Sequence, residues 1–581
     1  MSNVLFVTAQ NIEDLVYIIY LLINTVVCCN VINRGKITMR IKEVKNILIK
    51  VIIFTMICLV VISTGISSHI YASERKFNMT YAYFGNSIAF SAYMEKAANS
   101  LNEIAPDYFG INEDGSLKLT TKLSSDFIIS AQKKGIKVVP FISNHWDREL
   151  GRIALANRER LATQLANAVK QLNLDGVNVD LENLNENDRD AYTDFVRLLR
   201  EKLPDDKIIA VAVAVNPNNA TKGWNASYDY AGLAKYSDYL MLMAYDEHYE
   251  SGKEGPVASA DFVEASIKYA LKRVPSEKIV LGIAFYGRYW ISGKSYGGYG
   301  ISNSKVEALI KMYGGRVTYD YNKQSPKAVI TIKPTDPAYY ISGKKLEPGT
   351  YTFWYENEQS IKYKLTLVKK YNLKGTGSWS LGQETENTWK YYNLWLNGVY
   401  FTDAQDSWAR EAILTATLKG WFKGVSSTQF KPKNYLTRAE AAAILVRALA
   451  LEGTGDKSGF PDTAGHWAEN DIIIAKEHGI IKGNEDGYYQ PEAPISREQM
   501  AVMLERILET GNTKKSSTTQ GKYWDVSRDE SSWSYDAIMK MSQLGIFTGY
   551  PDGGFYPKEG ISREQMAQLM VKMENYFTHA D

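Results

Sequence analysis

The sequence predicts an α/β chain: a closed (β/α)8 barrel of the TIM type with a small inserted α+β lobe, followed by three mainly helical repeats. Three observations predict it. Strand-like and helical segments alternate from Asn78 to about residue 395, the segment DGVNVDLE alternates polar and apolar residues, and three similar units fill the region after residue 400.

The alternation opens with the strand MTYAYF and a helix over YMEKAANSLNEI, then APDYFGI, a helix through FIISAQKKG, and IKVVPFIS. It continues with a helix around LATQLANAVKQL, the DGVNVDLE strand, a helix through AYTDFVRLLREKL, IIAVAVAV, YLMLMAY, a helix around FVEASIKYALKRV, and KIVLGIAF. The last pair is SIKYKLTLVKKYN and GTGSWSLG. Eight strands with intervening helices, and no Gly-rich phosphate turn after the first, point to a closed barrel rather than an open doubly wound sheet. Between Trp290 and about Thr352 the alternation gives way to Gly-, Tyr- and Lys-rich text with strand-like pieces KAVITIKP and AYYISGKKL. This predicts an inserted lobe at about 291–352, beside the barrel mouth, with a disordered loop as the alternative.

Within DGVNVDLE, Asn178, Asp180 and Glu182 share one strand face, while Val177, Val179 and Leu181 share the other. A covered parallel strand is apolar at nearly every position, so two carboxylates on one face mark a site of chemistry; the alternative is an exposed edge strand. Strand ends also carry Tyr245, Asp246 and Trp379, where a barrel of this class builds its active site.

The 581 residues suggest three or four folding units, and the net charge of +2 without long basic runs gives no reason to expect a nucleic-acid partner. Tyr (39) and Trp (12) are abundant; most should pack in cores, and some suit sugar faces. Cys28, Cys29 and Cys58, the only cysteines, lie in the N-terminal apolar region. Around Met39 the basic MRIKEVKNILIK precedes the apolar VIIFTMICLVVISTGI, and Ala72 offers a small residue for cleavage, as in a secretory signal over 39–72. A second apolar stretch, Val16 to Ile32, precedes it. Either Met39 is the true start and 1–38 is a misassigned extension, which we favour, or two membrane-active segments are present.

The three C-terminal units open with FTDAQDSWA, FPDTAGHWA and YWDVSRDESSW and close with LTRAEAAAILVRAL, ISREQMAVMLERIL and ISREQMAQLMVKM. They run over about 401–450, 460–510 and 522–577. Thr437, Ser496 and Ser562 each precede Glu or Gln by three residues, which predicts a capping box at each closing helix. GNTKKSSTTQGK reads as a polar linker.

DGVNVDLE resembles the DGxDxDxE signature of glycoside hydrolase family 18, and MAYD at 243–246 and GTGSWSLG resemble two further motifs of that family, in the expected order over about 76–395. The surrounding text is similar to the branch containing bacterial spore-cortex and cell-wall glycosidases. The resemblance implies substrate-assisted retention on an N-acetylated sugar, whose own acetamido oxygen attacks the anomeric carbon. It implies that Glu182 protonates the leaving oxygen and later activates water, while Asp180 holds the acetamido N–H. Tyr245 would bond the acetamido oxygen, Met243 and Asp246 would line that subsite, and Trp379 would form its floor. Asn178 stands where the family usually has Asp. An amide has no movable proton to share but still donates a hydrogen bond to Asp180, so an altered pH profile is expected.

His145 and His248 follow strand ends and read as polar lining; Trp146, Trp290 and Trp354 stack on sugars or pack at the rim. No HExxH, Cys/His cluster, P-loop or GxSxG occurs, so neither metal nor organic cofactor is expected.

The three repeats resemble S-layer homology modules, which implies binding to a secondary cell-wall polysaccharide. Arg438, Arg497 and Arg563 match that family's arginine, and a guanidinium suits pyruvyl carboxylates; surface salt bridging is the plainer use. Trp524 and the SREQ text depart from the commonest pattern. The expectation is an exported glycosidase on the cell wall or S-layer surface, cleaving peptidoglycan or chitin-like polymer, with an N-terminal membrane segment if the leader is uncleaved. No obligate protein partner is evident. The alternatives are a non-catalytic wall lectin and a structural surface-layer protein.

Overall fold

The computed structural model describes residues 75–341, 343–453, 459–510, 523–529 and 531–577. The expected secretory signal over 39–72, the stretch before it, the three cysteines and the expected linker at 511–522 lie outside the described residues. No helix among the described residues is long and apolar enough to cross a membrane.

Seven strands pair in parallel: Phe77–Ala82, Glu103–Pro106, Gly176–Asp180, Ile208–Ala214, Tyr239–Met243, Ile279–Ala284 and Gly375–Trp379. The remaining barrel position is filled by Lys137–Val138 and Phe141–Ser143, two pieces of one segment interrupted at Pro140, which has no N–H to give to a ladder. The first piece pairs with Glu103–Pro106 and the second with Gly176–Asp180, so the sheet closes. Across the break, Val139 N donates to Ile104 O and Asn178 N donates to Pro140 O, both at 2.9 Å.

Alternation decides what fills each side of the wall. In Ile208–Ala214, Val211 and Val213 join the outer core beneath the helices, while Ala210 packs inside the barrel with Met79, Tyr81, Phe141, Tyr239 and Met241. The outer helices answer with apolar stripes, such as Tyr192, Phe195, Val196 and Leu199 of Arg189–Lys202, all fully buried. Each such side chain contributes about 1.5–3 kcal/mol. The first helix runs Ser87–Ala97 rather than over 93–104. Asn86 Oδ1 accepts from Ala89 N at its start, and the residues after Leu101 are drawn into the second strand.

Glu103 lies fully buried in the barrel, where its carboxyl accepts from Tyr239 Oη. Burial raises its pKa from 4.5 to about 8; the Tyr239 bond and the charge of Lys374 oppose this, and Asp175 and Asp238 add to it. A raised folded pKa places the stabilising contribution below pH 4.5 and removes it as pH rises towards 8. Glu103→Gln is therefore expected to melt higher than the parent at pH 8 and equally at pH 4.5, as thermal denaturation at the two pH values will show.

The inserted lobe is an antiparallel five-stranded sheet in the order Tyr299–Ser302, Tyr286–Ile291, Gly349–Trp354, Ser325–Ile332, Arg316–Asp320, with the helix Asn303–Tyr313 against it. It begins at Tyr286, five residues before the boundary expected from sequence. Only Phe285 separates its first strand from the seventh barrel strand, so the two read as one apolar run and differ only in their pairing partners.

The three C-terminal units close into a ring. Helix Ala-rich Arg438–Ala448 of the first packs on Glu469–Glu477 of the second, Arg497–Thr510 on Tyr535–Gln543 of the third, and Arg563–Phe577 back on Arg410–Leu418 of the first. At the centre, Leu436 N donates to Ile561 O, Ile561 N to Ile495 O and Ile495 N to Leu436 O, at 2.9–3.0 Å. All three expected capping boxes form, at Thr437 with Glu440, Ser496 with Gln499 and Ser562 with Gln565. The Asp of each opening motif explains that motif: Asp403, Asp462 and Asp525 each accept two consecutive backbone N–H groups, from 430–431, 489–490 and 555–556.

Candidate active site

A cleft of about 1290 Å³ opens where the barrel strands end, and it is lined by Tyr81, Asp180, Glu182, Met243, Tyr245, Asp246 and Trp379 among others. The fourth strand delivers Asn178 and Asp180 inward. Small Ala210 and Ala212 on the neighbouring strand leave the space, Ala210 lying opposite Asn178 and Ala212 on the cleft wall.

Asn178 is fully buried and its Oδ1 accepts from Tyr81 Oη at 3.2 Å. Among the described residues its Nδ2 and the Oδ1 of Asp180 are both buried without a partner, so the hydrogen bond expected from Asn178 to Asp180 is not formed: the amide is turned so that its oxygen meets Tyr81. Burial pushes the Asp180 carboxyl up to about 7. Glu182 is raised well above its ordinary range, first by burial, then by the charges of Asp180 and Asp246. Burial thus favours the protonated form of both carboxyls.

Aromatic rings define the rest. Trp379 packs on Tyr81 at 5.2 Å, Tyr83 at 5.4 Å and Phe141 at 6.1 Å, forming a floor. Tyr245 meets Tyr286 edge-on at 5.9 Å, and burial holds both phenols neutral well above their usual range. Gly282 of the seventh strand leaves room there, since a Cβ would lie 2.2 Å from Leu242 O and 3.0 Å from the Tyr245 ring.

Sequence reasoning brought Asn178, Asp180, Glu182, Met243, Tyr245, Asp246 and Trp379 to this cleft, and the structure places them in or directly beneath it. It missed Arg288, which pairs with Asp246 at 2.7 Å while also donating to Gly298 O at 2.8 Å. Arg288 lies on the lobe's first strand, so the lobe itself holds Asp246. Only long-range pairing brings them together, and no local pattern announces it. Trp146, half exposed, stands on the cleft wall edge-on to Trp224 at 4.8 Å. Trp290 and Trp354 are tied by their indole N–H groups to Gly252 O and Glu254, and His248 Nδ1 pairs with Pro256 O. His145 adopts a left-handed φ of 48°. Among the described residues no group of three or more His, Cys, Asp or Glu is arranged to hold a metal ion.

The three repeat arginines sit at the ring's seams. Nε of Arg438, Arg497 and Arg563 donates to Tyr489 O, Phe555 O and Phe430 O, in each case in the next module around the ring, at 2.7–2.8 Å. Each guanidinium also lies over the ring of that same aromatic residue. Arg497 and Arg563 are buried, and desolvation lowers their pKa. They are seam staples rather than free surface charges; Arg438 is half-buried. Among the described residues, Arg563 alone of the three pairs with a carboxylate, Glu440 at 3.3 Å.

Paired buried carboxyls at the mouth of a barrel lined by aromatic rings suit a glycoside hydrolase. Residues 78–384 match Glycosyl hydrolases family 18, and residues 400–442, 459–501 and 523–567 match the S-layer homology domain. The chain belongs to glycosyl hydrolase family 18, and its modules associate it with the cell surface. It is similar to an uncharacterized glycosylase, YvbX, of Bacillus subtilis, 29% identical over 324 residues, 54% of this chain and 90% of that one. It is also similar to the cortical fragment-lytic enzyme of the same organism, 28% identical over 249 residues, 42% of this chain and 55% of that one. A chitinase from Chromobacterium violaceum superposes with a TM-score of 0.49 at 26% identity, covering 55% of this chain and 99% of that structure.

Proposed function

We propose that this protein cleaves a β-linked polymer containing N-acetylglucosamine, by substrate-assisted retaining catalysis, while held on the cell wall by its modules. The observation that carries the reading is the pair Asp180 and Glu182, buried together and raised in pKa, above Trp379 and beside Tyr245. Glu182 gives its proton to the glycosidic oxygen as the acetamido oxygen of the substrate closes on the anomeric carbon; it then takes a proton from the water that opens the oxazolinium ring. Asp180 accepts the acetamido N–H through its unpartnered Oδ1 and offsets the ring's positive charge. Tyr245, kept neutral, donates to the acetamido oxygen.

Peptidoglycan is the preferred substrate. Its stem-peptide carboxylates have a counterpart in Lys305, which lines the cleft from the lobe and has no ion-pair partner among the described residues. Anchoring on the wall also raises the local concentration of that substrate. We place the wall-polymer contacts of the modules along the seams that hold Arg438, Arg497 and Arg563. Purified wall, spore cortex and chitin oligomers, digested and analysed by mass spectrometry, are expected to show new N-acetylglucosamine reducing ends, most from wall or cortex. Binding without any product would instead establish the lectin reading.

Asn178→Asp adds a further ionisable carboxyl close to Asp180. It is expected to move the acid limb of the kcat profile, because the added group shares and competes for the pair's proton. Superimposable profiles for the two forms would refute that coupling.

A further inference from the structure

We propose that Asn144 is a positioning residue that fixes the Glu182 peptide, and with it the acid's carboxyl, from the loop after the third strand. The proposal rests on the reading of Glu182 as the acid. Asn144 is fully buried. Its Oδ1 accepts from Glu182 N at 2.8 Å, and its Nδ2 donates to Glu182 O at 2.9 Å and to Asp147 O at 2.7 Å. One amide thus satisfies both backbone groups of Glu182, as a neighbouring strand would, at the point where the fourth strand has ended at Asp180.

The surroundings are shaped for this contact. A Cβ on Gly151 would lie 2.9 Å from Asn144 Nδ2 and 3.1 Å from Leu184, so glycine there leaves the amide its place. The next residues repeat the device: Arg148 donates to Asn183 O at 2.6 Å and to Asn183 Oδ1 at 2.9 Å, and Asn183 Nδ2 donates to Trp146 O at 2.9 Å. His145, Trp146 and Asn183 all hold left-handed φ values, 48°, 68° and 57°, which the bonds between the two loops maintain. On the other side, Tyr192 Oη accepts from Leu181 N at 3.4 Å and Tyr228 Oη donates to Leu181 O at 3.1 Å. The peptide groups on both sides of the Leu181–Glu182 step are therefore held by side chains.

The charged and titratable groups facing Glu182 are Asp180 on its own strand, Asp246 with its partner Arg288 from the sixth strand's loop and the lobe, and the phenols of Tyr81, Tyr192, Tyr228, Tyr245 and Tyr286. The phenols stay neutral, so Asp180 and Asp246 dominate. Freed from Asn144, the Glu182 carboxyl moves away from them towards water.

The test is the full chain with Asn144→Ala, assayed on chitin oligomers across pH beside Glu182→Gln. A drop in kcat of about 10–100-fold is expected, with KM within about twofold and the alkaline limb displaced to lower pH. Should that variant not fold, Asn144→Asp keeps the acceptor for Glu182 N, loses the donor to Glu182 O and adds a negative charge. It is expected to lower kcat while displacing the alkaline limb to higher pH. A folded variant of either kind whose alkaline limb coincides with the parent's overturns the proposal, whatever its kcat. Retained turnover in Glu182→Gln overturns instead the assignment of the acid.

Discussion

Glu182→Gln is expected to lower kcat by about 10²–10⁴-fold while leaving oligosaccharide affinity within a few-fold of the parent. The amide occupies the volume of the carboxyl and keeps an oxygen facing the cleft, but has no acidic proton for the leaving oxygen. Calorimetric titration of the variant with chitin oligomers separates the two quantities. Turnover near the parental rate would remove Glu182 from the chemistry. On the proposed role of Glu182 as the acid, kcat in the parent is expected to fall on the alkaline side as pH rises through its raised pKa.

Asp180→Asn is expected to cost about 10²–10³ in kcat, the scale of removing one preorganised group that stabilises developing charge. It also carries a second signature. Asp180 is, after burial, the leading charge that raises the Glu182 pKa. Neutralising it lets Glu182 ionise more readily, so the residual activity should lose its alkaline limb at lower pH than the parent. A variant with reduced kcat and an unmoved limb would mean that the two carboxyls do not share their titration. The same profile distinguishes this change from Asn178→Asp, which adds charge to the cluster.

Much of the barrel is visible in the chain because each strand is a short local signal. The apolar runs of Ile208–Ala214 and Tyr239–Met243 require cover on both faces, and the alternation at Asn178, Asp180 and Glu182 marks the strand where that rule is broken. The repeats are visible for a related reason: hydroxyl and Gln or Glu stand three apart at each helix start. What the sequence conceals is pairing at a distance. Arg288 meets Asp246 across 42 positions, and Asn144 meets Glu182 across 38. Nothing in SNHWDR distinguishes Asn144 from its neighbour His145, which attracts notice as a titratable residue at a strand end. The arginines of the repeats show the reverse limit. Their recurrence is plain, but it takes the folded ring to reveal that each reaches a carbonyl of the following module.

That ring has a consequence for the anchor's persistence. A linear array of repeats exposes two ends and can fray or lose a unit while the remainder stands. Here the last unit grips the first, so excising any one breaks two of three mutual supports, including two staples and two of the three central hydrogen bonds. The three units should therefore unfold as one body rather than by stepwise erosion from an end.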